Sequence, residues 1–142
     1  MNSLFFIYIF KLKTTMKGAL RINFKNITRY LMSIFYISIG INHFTSPDWF
    51  VQIVPPYMSY KYELVYISGF FEIILGALLC FPRFKRITRW GLILLLIAVY
   101  PANIYLAQTN GAAMDTTPLV AWGRLPIQFI FIYLAFWHTK ES

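Results

Sequence analysis

Four apolar stretches, residues 28–45, 63–81, 88–107 and 120–138, fill most of this chain, with basic residues concentrated on alternate connections between them. An α-helix rises about 1.5 Å per residue, so roughly 20 apolar residues cross a hydrocarbon core of about 30 Å, and each stretch suits that length. The pattern predicts an all-α protein, an integral membrane four-helix bundle. Composition agrees: 58% hydrophobic, 20% aromatic and 13% charged is too apolar for a soluble domain of 142 residues.

A net charge of +8 raises the question of nucleic acid. A nucleic-acid domain gathers Lys and Arg on one folded face, whereas here they gather at span ends, so that partner is excluded and the lipid bilayer takes its place. The leader carries Lys11, Lys13, Lys17, Arg21, Lys25 and Arg29, and the connection after the second stretch carries Arg83, Lys85, Arg86 and Arg89. The connection 46–62 has only Lys61, residues 108–119 have no basic residue, and the tail 139–142 has Lys140. The positive-inside rule therefore predicts that both termini are cytoplasmic and that two hairpin connections face outward.

Residues 1–27 read as a cytoplasmic basic arm, amphipathic and lying on anionic headgroups, because the apolar run Leu4 to Phe10 is about a third of a spanning length. Lys11 and Lys13 follow that run and no small-residue cleavage site appears, which argues against a secretory signal. Met16 is an alternative start to Met1. In the first outward connection, Ser46-Pro47-Asp48 and Val54-Pro55-Pro56-Tyr57 signal turns and short extended stretches. Between them Trp49, Phe50 and Ile53 recur at helical spacing, predicting a short interfacial helix whose aromatic residues anchor it at the membrane surface.

Any chemistry must come from polar residues inside the spans, where an ionisable group costs several kcal/mol unless paired, neutralised or wetted. Glu72 lies about nine residues into its stretch, roughly 13 Å by the helical rise and near mid-bilayer. Ser68, Gly69, Gly76 and Cys80 share its face, which should pack closely on a neighbour. Side chains lean toward the start of their helix, so Glu72 leans outward while Asn103 leans inward to its level. His43 behaves like Asn103 on the first span, where Tyr36, Gly40 and His43 share a face. Gln128 sits at nearly the depth of Glu72, and Arg124, one turn nearer the outside, would snorkel to water. Glu72, Asn103 and Gln128, with His43 and Arg124 above them, either line a polar pocket open to the outside or form interhelical hydrogen bonds that hold the bundle. Pro101 frees the carbonyl of Ile97, so a kink beside Asn103 is expected; Pro126 comes early in the fourth span, where a missing amide hydrogen matters least.

Metal and thiol chemistry have little to work with. His43 and His138 fall at opposite faces of the predicted topology, no carboxylate pair has ligand spacing, and Cys80 is the one cysteine of the chain. The sequence carries no haem-ligand pair, nucleotide-binding fingerprint or serine nucleophile with an evident base, so no intrinsic cofactor and no self-sufficient catalytic constellation is evident. Redox chemistry would require a diffusible carrier such as quinone, or redox partner subunits.

Gly40-Ile41-Asn42-His43-Phe44 followed by Pro47, then Ile53-Val54-Pro55-Pro56-Tyr57, Leu64-Val65-Tyr66-Ile67-Ser68-Gly69 with Glu72, Pro101-Ala102-Asn103-Ile104, and Arg124-Leu125-Pro126-Ile127-Gln128 together resemble the DoxX-like membrane proteins. The resemblance spans about residues 28–138 and leaves out the leader. It implies a small four-helix protein of the bacterial inner membrane; some members of that family are associated with quinone-linked redox systems and many have no assigned activity. No catalytic residue carries over, although His43, Glu72, Asn103, Arg124 and Gln128 fall among the family-like positions. The expectation is an accessory membrane subunit of a quinone-linked redox system, with a non-enzymatic scaffold or a small oligomeric transporter as alternatives. The Gly69 to Gly76 face serves either the interior of the bundle or a seam between two copies, and the sequence leaves both open.

Overall fold

The first proline of the chain is Pro47, and a single helix, α1 (Asn2–Thr45), runs up to it without a break. A residue before proline is disfavoured in the α region, and Ser46 leaves the helix at φ −140° and ψ 57°. The computed structural model describes residues 2–140, and the side chains of 7–15 and 24–140. Met1, the side chains of Met16, Lys17 and Arg21, and tail residues 141 and 142 lie outside the described residues. No break in the helix marks the expected boundary between residues 27 and 28, so the leader extends the first apolar stretch as one rod of 44 residues. The physical reason is the absence of any helix-breaking proline or turn sequence at that point.

Pro47 opens the five-residue helix α2 (Pro47–Val51), where the missing amide hydrogen costs nothing. The expected short helix in this connection is therefore present, with a different set of contacts. Trp49 is exposed, but Ile53 lies beyond the helix and is buried in the bundle against Leu106, Met114 and Ala121. Phe50 turns inward as well, onto His43. Val54 and Pro55 are buried beside Ile53, so the connection folds over the mouth of the bundle.

Helix α3 (Lys61–Leu78) begins after Tyr60, which sits in the left-handed region at φ 59°. It stops three residues short of the predicted 81, because Leu79 and Cys80 turn ahead of Pro82. A 3₁₀ turn, Pro82–Phe84, leads into α4 (Lys85–Gln108). That helix ends in paired reverse hydrogen bonds, from Gly111 N–H to the Leu106 carbonyl at 3.0 Å and from Asn110 N–H to the Ala107 carbonyl at 2.9 Å. Asn110 and Gly111 take positive φ there, and at Gly111 a Cβ would stand 2.3 Å from the Thr116 carbonyl oxygen. Trp122 Nε1 donates to Asn110 Oδ1 at 3.0 Å and ties this turn to α5 (Pro118–Thr139), whose first turn is capped by Thr117.

The long helices alternate in direction. α3 packs chiefly on α1 and α5 chiefly on α4, and a thinner α3–α4 contact joins the two pairs. Met32 and Tyr36 of α1, Leu75 and Leu79 around the end of α3, Leu92 and Leu95 of α4 and Ala135 of α5 form the shared core. At one end, Arg89 Nε donates to Thr139 Oγ1 at 3.1 Å and a second guanidinium nitrogen donates to the Thr139 carbonyl, satisfying the end of α5. We call this the basic end and the opposite one the loop end.

Among the described residues, two helical segments are long and apolar enough to cross a membrane, Pro82–Gln108 and Pro118–Thr139. Helix α3 is only 18 residues long and includes Lys61, Glu63 and Glu72, whereas each of those two longer segments contains an 18-residue stretch with at most two charged residues. Large apolar side chains cover the outside of all four long helices, among them Ile34, Phe70, Leu94 and Phe129.

Candidate functional site

Glycines decide how the first and third helices meet. A Cβ at Gly40 would stand 2.7 Å from the Gly69 carbonyl oxygen, and one at Gly69 would stand 2.5 Å from His43 Cβ. Toward the basic end a Cβ at Gly76 would stand 3.1 Å from the Ser33 carbonyl oxygen, and Ser33 Oγ donates to the Gly76 carbonyl at 2.6 Å. Its hydrogen thus engaged, Ser33 accepts from the Cys80 thiol at 3.2 Å. The Gly69 to Gly76 face is consequently spent on α1 inside the bundle.

This close approach sets His43 beside Glu72, with Nδ1 and Oε2 3.2 Å apart and side chains only 8% and 12% exposed. The same Nδ1 lies 2.8 Å from the Ile39 carbonyl oxygen. A carbonyl can only accept, so Nδ1 carries its hydrogen and gives it to Ile39. Glu72 Oε2 is left at ion-pair distance without hydrogen-bond geometry, buried and with no partner among the described residues. The hydroxyl of Tyr36, two turns along α1, is likewise buried and has no partner among the described residues. Phe50 stacks on the His43 ring, centroids 3.8 Å apart and planes 19° from parallel, closing the loop side of the pair. Helix α2 is held in place from its other side, where Tyr62 Oη donates to Asp48 Oδ1 at 2.6 Å. That bond to Asp48 holds the Tyr62 phenol above its ordinary pKa.

Between α4 and α5 the polar residues form a different kind of cluster. Arg124 Nε donates to Asn103 Oδ1 at 3.1 Å, Asn103 Nδ2 donates to Gln128 Oε1 at 2.6 Å, and Gln128 Nε2 donates to the Leu96 carbonyl. The chain of donors runs one way, from a fixed cation to a helix carbonyl, and it uses every amide atom of Asn103 and Gln128 that faces another residue. Leu96 lies in the turn that Pro101 deprives of an amide hydrogen, and α4 nevertheless continues through the proline as one helix. The Arg124 guanidinium also rests 3.8 Å from Met114 Sδ. It is therefore anchored on Asn103 while staying partly exposed.

The five residues singled out in the sequence thus fall into two groups, His43 with Glu72 and Arg124 with Asn103 and Gln128. No hydrogen bond or ion pair among the described residues joins one group to the other. Glu72 and Asn103 thus sit in different helix-pair groups, because each polar side chain meets the helix on which its own helix is most closely packed. Tyr36 shares the His43 face by spacing, but spacing alone does not mark its hydroxyl as buried without a partner among the described residues. Phe50, expected as a surface anchor, stacks on His43 instead, and nothing in its local spacing reports that α2 folds back there. His43 and His138 do lie at opposite ends, and among the described residues no three metal-ligating side chains come together.

The fold and site define an all-α bundle with two helices of membrane-crossing length and apolarity and a polar layer divided between two helix pairs. Residues 32–139 match the family described as a domain of unknown function (DUF8561), and the chain belongs to that family. No curated protein and no solved structure is significantly similar to it.

Proposed function

We propose that this is a four-span membrane protein of the cell membrane, both termini cytoplasmic, serving as an accessory subunit that holds a small apolar carrier of the quinone class at Glu72 and His43. The four-span reading is supported by the apolar exterior of all four long helices and by the basic residues at one end. Helix α3 is as apolar as α5, and its Lys61 and Glu63 lie in its first turn, leaving Glu72 as the one charged residue in its body. The resemblance to DoxX-like proteins points the same way.

The observation that carries the carrier reading is the unpartnered Glu72 Oε2 beside a buried histidine. A buried polar atom without a partner is costly, by about 1–3 kcal/mol, and a ligand that supplies a donor removes that cost. Quinones, when bound, supply two-electron, two-proton chemistry with carbonyl or hydroxyl oxygens at the edge of an apolar ring. Glu72 would accept from or donate to such an oxygen, Tyr36 would offer its free hydroxyl, and Phe50 with His43 would provide a flat aromatic wall. The Arg124, Asn103 and Gln128 chain is already satisfied and serves to hold α4 against α5.

Mass spectrometry of lipids and quinones extracted from protein purified in mild detergent tests this reading. A carrier near one per chain, reduced at least fivefold in a folded Glu72→Gln variant, is the expected result. Repeated preparations with no carrier, or equal retention in the variant, would leave a non-enzymatic scaffold as the better account, in which both polar groups only fasten helices.

A further inference from the structure

At the basic end a second group of polar atoms lacks partners. His138 is 1% exposed, and both of its ring nitrogens are buried with no hydrogen-bond partner among the described residues. Arg29 Nε, across on α1, is in the same condition. Lys25 Nζ stands 5.9 Å from the centroid of the Trp137 ring, which in turn lies 4.7 Å from the His138 ring. Lys25 and Arg29 are both near enough to act electrostatically on that ring. Of the acids among the described residues, Asp48, Glu63 and Asp115 belong to the loop end and Glu72 lies beside His43 in the α1–α3 contact, while Glu141 lies outside the described residues.

We propose that the basic end binds a phosphate-bearing anion between α1 and α5, held by Lys25, Arg29 and His138. Among the described residues no acidic side chain lies at this end beside the two cations and the buried imidazole, and an anion seated among them would satisfy all three. The donors come from two helices, α1 and α5, which suits the spread of oxygens on a phosphate better than the two coplanar oxygens of a carboxylate. Arg89 is already engaged with Thr139 and stays outside the site. The phosphate belongs either to the headgroup of an anionic lipid or to a soluble phosphate compound. The site is independent of any carrier at Glu72.

The chain has two histidines, so protein labelled with ¹⁵N-histidine gives one resonance set at the site and one, from His43, as an internal control. The full chain, stripped of lipid in a neutral detergent, would be titrated separately with phosphatidylglycerol, phosphatidylcholine and inorganic phosphate. A His138 response to phosphatidylglycerol, with His43 unmoved and half-saturation raised at least tenfold in a Lys25→Gln, Arg29→Gln double variant, supports a lipid headgroup. The same response to inorganic phosphate alone assigns the site to a soluble phosphate compound. The single variant Lys25→Gln, at a half-buried position, serves as the folded control if the double variant does not fold, with a rise of at least threefold expected. No response to any of the three, equal response to phosphatidylcholine, or unchanged half-saturation in a folded variant overturns the proposal.

Discussion

A buried polar atom either finds a partner or leaves a cost, and that difference separates the two polar groups of this bundle. Asn103 accepts from Arg124 and donates to Gln128, so its removal breaks two bonds and strands both neighbours. Interhelical polar bonds in membrane proteins typically contribute about 1–2 kcal/mol or less. Asn103→Ala should therefore lower stability by about 1–2 kcal/mol, read as a lower melting temperature by circular dichroism in detergent, with carrier retention unchanged. An unchanged melting temperature would show that the chain of donors does not hold α4 to α5. Glu72 is the opposite case. Because Oε2 has no bond to lose, Glu72→Gln should leave the melting temperature within a few degrees of the wild type while retention of the carrier falls.

At the scale of helices, the crossing of α1 and α3 rests on atoms that are missing. A side chain at Gly69 would push against His43 Cβ at 2.5 Å and the Gly40 carbonyl oxygen at 2.9 Å, and the backbone oxygen cannot swing aside. Gly69→Val should cost about 2 kcal/mol or more by overpacking and should part His43 from Glu72. Gly123 on α5 has nothing within 4 Å of its would-be Cβ, so Gly123→Ala should be tolerated and even gain about 1 kcal/mol of helix propensity. If the two variants melt alike, in the same assay, the α1–α3 contact is not the close one described. The same contact explains why the Gly69 to Gly76 face, legible as a packing surface from spacing alone, could not be given a partner from the sequence: spacing names a face but not what covers it.

For the molecule as a whole, charge and apolarity make one statement about orientation. Four alternating helices bring Arg83, Lys85, Arg86, Arg89 and Lys140 to the end where Lys25 and Arg29 also lie, and leave the opposite end with Lys61 as its one Lys or Arg besides Arg124, which is held on Asn103. Reporter fusions should accordingly show cytoplasmic fluorescence after Phe84 and after Lys140, and phosphatase activity after Tyr57 and after Thr116. The reverse pattern, or phosphatase activity at all four points, would overturn the orientation.

Length, hydropathy and charge order are properties of each stretch taken alone, so the sequence by itself determined that the chain is helical, roughly where each long helix runs, and which residues are polar at depth. It also marked the helix face that carries Tyr36, Gly40 and His43. Continuity of the leader with α1 and the early stop of α3 follow from where prolines stand, and both were readable there. Only the tertiary structure decided that Glu72 answers to His43 and not to Asn103, that Phe50 turns in, and that Arg124 is held by an amide. The reason is that helical periodicity fixes directions within one helix, whereas the choice of neighbour is made between helices, by glycines that permit approach and by side chains that cannot be placed until a second backbone is.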